Sequence, residues 1–100
     1  MTAYTEQTHQ DVSITQNMVL KDMIVGNVTV HPGARLELFG NVLGDLYVEA
    51  DSEVVLYGIL KGDAHNNGGQ LRVEGVIKGN IHRNAGHTIL SSQAVVGTTF

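Results

Sequence analysis

Apolar and polar residues alternate along this chain in short runs, as in Arg35-Leu36-Glu37-Leu38 and Gln70-Leu71-Arg72-Val73. A period of two is that of a strand with one dry face and one wet face, and no stretch keeps a helical period. The alternation is itself repeated. Gly26, Gly44, Gly62, Gly79 and Gly97 recur at steps of 18, 18, 17 and 18 residues, each followed by a small polar residue: Asn27, Asp45, Asp63, Asn80 and Thr98. In the middle of the chain a second glycine precedes the first by four (Gly40, Gly58, Gly75), while Asp22 and Gln93 stand in that place at the two ends.

Setting these units in register sorts the apolar residues into columns. Ile24, Val42, Leu60, Ile77 and Val95 form one; Val28, Leu46, Ala64 and Ile81 a second; Leu36, Val54, Leu71 and Ile89 a third; Leu38, Leu56 and Val73 a fourth. One unit has too few apolar side chains to build a core alone and can bury them only by stacking on its neighbours. The pattern therefore predicts an all-β fold, a single short β-solenoid of about four to five coils of ~18 residues. The glycines belong at corners, where the backbone takes positive φ or passes close to the next coil. The one-residue deletion falls in Asn66-Asn67-Gly68-Gly69, a turn-like segment where it shifts no ladder. Residues 1–17 read as a polar tail with a partial capping coil, in which Val12 and Ile14 alternate, and residues 18–100 as the β-helix domain. At the far end the inward ladders run into Ser91 and Thr99 before Phe100.

Length and charge narrow the function. One hundred residues make one domain, and 42% hydrophobic against 16% charged residues is a composition that folds. A net charge of −4 argues against nucleic-acid binding through a basic face. No segment has the ~18 apolar residues of a membrane span, and the first ten residues lack the features of an export signal, so the expectation is a soluble cytoplasmic protein. With no cysteine, disulfides and thiolate chemistry are excluded.

The phrases VEGVIKGNI (73–81) and LFGNVLGDL (38–46) resemble the repeated unit of bactofilins, bacterial polymer-forming cytoskeletal proteins. The resemblance covers roughly residues 18–97. It implies a right-handed β-helix whose subunits assemble end to end without nucleotide. Bactofilin cores carry more windings; here the end coils lose the pattern, and the ladder begun by Val30 and Val48 turns polar at Asn66 and Arg83. A second pattern coexists with the first. Ile24, Val30, Leu36, Val42, Val48, Val54 and Leu60 are spaced by six, as in left-handed hexapeptide acyltransferases, but the paired glycines favour the right-handed form.

Candidate chemistry is sparse. His65 and His82 share one column below Thr29 and Tyr47, close enough for a shared metal, but a third ligand is missing and Asp45 and Asp63 lie on the neighbouring column. No metal site and no cofactor are expected. Asn27, Asp45, Asp63 and Asn80 form a polar ladder better suited to bonding corner backbone than to acid and base catalysis, which needs a pocket. Arg35 and Glu53 form a cross-strand ion pair, and Lys61 and Lys78 stack with like charge. The sharper signal is apolar: Phe39, Leu43, Tyr47, Val55 and Tyr57 fall at outward positions and make a candidate partner-binding patch. The expectation is a non-catalytic interaction protein. It either assembles with itself, as the bactofilin resemblance implies, or serves as a small acidic module of the immunity-protein kind that occludes one cognate toxin.

Overall fold

The structure is a computed structural model and describes residues 2–4, 11–21 and 23–99. The expectations for Asp22, Phe100 and most of the first ten residues lie outside the described residues. Among the described residues there are thirteen strands and no helix: β1 (Thr2–Tyr4), β2 (Val12–Ile14), β3 (Met18–Leu20), β4 (Met23–Ile24), β5 (Val28–Val30), β6 (Arg35–Leu38), β7 (Asn41–Val42), β8 (Leu46–Val48), β9 (Glu53–Leu56), β10 (Ile59–Leu60), β11 (Ala64–Val73), β12 (Val76–Leu90) and β13 (Val95–Thr99). All the pairings between them are parallel. Among the described residues no helix is long and apolar enough to cross a membrane.

The strands stack in three columns, so each coil has three sides. The first side carries β1, β3, β6, β9 and the later halves of β11 and β12. The second carries β4, β7, β10 and the starts of β12 and β13. On the third, β2, β5 and β8 continue into the first residues of β11. This is a β-solenoid of about five turns of ~18 residues. Three sides per turn explain the six-residue spacing, since Ile24, Val30, Leu36, Val42, Val48, Val54 and Leu60 each supply one inward side chain per side and are all fully buried.

The predicted ladders are present through the middle of the rod. Leu36 pairs with Val54 and Val54 with Leu71; Val28, Leu46, Ala64 and Ile81 run in register; Leu20, Leu38, Leu56 and Val73 do the same. Each Val, Leu or Ile of these ladders taken from water contributes roughly 1.5–3 kcal/mol. The core extends into the segment expected to be tail and cap: Val12 and Ile14 belong to the same cluster, and Val12–Ile14 pairs in register with Val28–Val30.

Two ladder assignments are corrected at the last coil. Ile89 pairs with Arg72, so it points outward and is 59% exposed, while Thr88 takes the place beside Leu71. Val95 pairs with Val76 and is likewise 59% exposed, while Val96 stands beside Ile77 and packs on the core. The cause is an uneven coil. The four-residue step from Asn66 to Gln70 recurs from Arg83 to His87, and the turn after Leu90 is longer than the one after Val73. The fourth ladder therefore ends in Leu90 and not in Ser91.

The tightened corner is organised by a polar core residue. Asn66 is fully buried beside Val48 of the preceding coil; its side-chain oxygen accepts the N–H groups of Gly68 (3.2 Å) and Gly69 (3.0 Å), and its Nδ2 donates to the His87 carbonyl (2.9 Å). The repeat glycines answer to close approach. A Cβ on Gly62 would collide with the Gly44 carbonyl and with Asp45 Oδ1 one coil away. Gly33, beside Pro32, is the different case, with φ of +85° and open space around it.

Candidate functional site

The five residues of the expected apolar patch do not form one surface. Phe39 and Tyr57 stack face to face at 4.7 Å between ring centroids and remain 48% and 46% exposed. Both follow the last residue of a first-side strand, which puts them on one edge of the solenoid. Val55 is a correction: it points outward but is only 7% exposed, because it lies on the floor of a depression walled by Arg35, Glu53, Arg72 and His87. Its direct neighbours in the parallel pairing are Glu37 and Arg72, one on each side. Leu43 is half-buried at the next corner. Tyr47 lies on the third side and stacks on His65, not on the Phe39 pair.

The polar ladder is structural, as its alternation of Asp and Asn suggests. Asn27 Oδ1 accepts the N–H of Asp45 (2.8 Å), Asp45 Oδ1 that of Asp63 (2.9 Å), and Asp63 Oδ1 that of Asn80 (2.9 Å). Asp11 extends it downward by accepting the N–H of Asn27 (2.9 Å). Sequence spacing missed Asp11 because the first coil is shorter, so Asp11 stands only 16 residues before Asn27.

Beside this ladder the third side carries a ring stack of Tyr47, His65 and His82, with centroids 4.8 and 4.6 Å apart and planes within 9°. Parallel in-register pairing forces this, since equivalent side chains lie one strand spacing apart. The outer carboxylate oxygens of the ladder turn toward the rings. Asp63 Oδ2 is 3.2 Å from His82 Nε2, and Asp45 Oδ2 is 3.6 Å from His65 Nε2. The Asn80 N–H that donates to Asp63, and then the His82 ring beside it, hold the Asp63 carboxyl below the usual carboxylate range, against a smaller opposing effect of desolvation. Asp63 thus joins the histidine pair: a carboxylate oxygen and one ring nitrogen of each of His65 and His82 lie within 4.8 Å of one another.

The remaining feature is the C-terminal end of the rod. Leu90 sits in the inward ladder above Val73, yet it is 45% exposed. Ile89 and Val95, which point outward from the first and second sides of the same coil, are exposed as well. At the other end Val12 and Ile14, also in a terminal coil, are 6% and 0% exposed. Among the described residues, the inward side chains of the first coil are buried and Leu90 in the last coil is half exposed. The 18-residue step hides the exposure of Ile89 and Val95, because it assigns both to inward ladders. Comparison of the chain with protein-family models, with curated proteins and with solved structures finds no match.

Proposed function

We propose that this protein is a non-catalytic β-solenoid that assembles with a second copy of itself through its open C-terminal end. The observation that carries the reading is the contrast between Leu90, half exposed although it points along the core, and Ile14, fully buried in the opposite terminal coil. A terminal coil presents unpaired backbone N–H and C=O groups, which a second strand edge satisfies while covering the apolar residues beside it. End-to-end assembly is also what the bactofilin resemblance implies. A head-to-tail filament needs two open ends, whereas a single open end is met by a two-fold contact between like ends, which closes after two copies. The proposed assembly is therefore a finite dimer.

Light scattering over a concentration series tests this. The expected result is a mass that rises from one chain to two and stops, and that stays at one chain in Leu90→Asp while Tyr57→Asp still dimerises. Unlimited growth would replace the dimer with a filament. A single-chain mass at every concentration would remove self-assembly and leave the reading in which an acidic module binds one cognate protein.

A further inference from the structure

We infer that Asp63, His65 and His82 form a binding site for one divalent transition-metal ion, of which zinc is the natural probe. Two imidazoles and one carboxylate are a donor set suited to zinc, completed in a four-coordinate site by a water. Three features of the structure support it.

The donors are already gathered. The separation of 3.2 Å between His82 Nε2 and Asp63 Oδ2 is close to the edge of a tetrahedron with metal–ligand bonds of ~2.0–2.2 Å. The widest spacing in the group is 4.8 Å, so one imidazole must close by about 1–1.5 Å to reach that geometry. His65 and His82 are half-buried on the outer side of the rod, where a change of side-chain torsion accomplishes this without moving the core.

The carboxylate is held in place. Asp63 Oδ1 accepts the N–H of Asn80 in the next coil, which leaves Oδ2 directed at the rings. Such outer bonds orient a ligand and raise its affinity for metal. Asp45 Oδ2 lies 3.6 Å from His65 Nε2 but outside this group of three, so the fourth position falls to water.

The site joins two coils. Asp63 and His65 belong to one turn of the solenoid and His82 to the next, with His65 and His82 direct neighbours in the parallel pairing. An ion bound there couples adjacent turns, and because it binds the folded chain it raises stability by mass action. This inference is independent of the proposed dimer, whose surface lies at the end of the rod.

The test uses full-length protein stripped with a chelator and titrated with zinc chloride by calorimetry, with cobalt absorption as a report on geometry. The expected result is one zinc per chain, a melting temperature raised by several degrees, and visible cobalt bands of a four- or five-coordinate ion. Affinity should fall at least tenfold in His82→Asn and again in Asp63→Asn, which keeps an acceptor for the Asn80 N–H just as Asn27 does for Asp45. Circular dichroism checks that both variants fold. No uptake of zinc by the parent protein would overturn the site. So would uptake that persists in the folded His65→Asn/His82→Asn double variant, since it would place the ion on other residues such as His31 or His87.

Discussion

The open end makes a stability prediction that can be worked from exposure. Leu56 and Leu90 stand in the same ladder, two coils apart, and truncating either to alanine removes the same atoms. Leu56 is fully buried with coils above and below it, so Leu56→Ala loses the whole transfer free energy and leaves a closed cavity, at about 3–4 kcal/mol. Leu90 keeps 45% of its surface in water, and a vacancy at the end of the rod fills with solvent. Leu90→Ala then costs only about 1 kcal/mol. At the ~4–8 °C per kcal/mol of a chain this size, the two variants separate by roughly 10 °C or more. The assay is urea and thermal unfolding at low micromolar concentration or below, where the chains are dispersed. The parent should gain stability as concentration rises, and Leu90→Ala should not. Equal losses at the two positions in dispersed chains would show that the last coil is covered like the others, and the end surface would have to be abandoned as the route to assembly.

Three further outcomes follow from the corners and ladders. Asn66→Val restores the apolar ladder of Val30 and Val48 yet should destabilise by about 2–4 kcal/mol in urea unfolding, since Gly68 N–H, Gly69 N–H and the His87 carbonyl all lose their partner. Asn27→Asp keeps the acceptor for Asp45 but inserts a fourth carboxylate into the ladder, between Asp11 and Asp45, so it should lower the melting temperature at pH 7 and low salt and recover most of the loss in high salt. Gly62→Ala should unfold at lower urea than Gly33→Ala, because the first drives a Cβ into backbone of the coil below, whereas the second meets only the cost of a positive φ, of order 1 kcal/mol.

Much of this molecule is legible in its amino-acid sequence. The recurrence of glycine and small polar residues at 18-residue steps, with apolar residues at intervals of two and six, admits little besides a stacked coil, because no single unit can bury its own hydrophobic residues. The middle ladders, the role of the Asn and Asp column, and the histidine pairing all followed from that register. Parallel in-register stacking converts a sequence interval directly into a contact, which is why a repeat can be read this way.

What the pattern left undecided lay where the interval fails or where two columns meet. Ile89 and Val95 were misplaced because the spacing between Arg83 and Val95 departs from the repeat, and a shift of one residue exchanges the inward and outward faces of a strand. Val55 sits at an outward position by alternation, yet it is buried between its neighbours Glu37 and Arg72, which the alternation does not show. Asp63 and His82 are far apart along the chain and occupy different columns, so their approach depended on the turn of one carboxylate at a corner. Sequence alone determined the periodic interior, since burial repeats with the chain; the tertiary structure decided the ends and the outer surface, since there each side chain's environment is set by neighbours that the repeat does not specify.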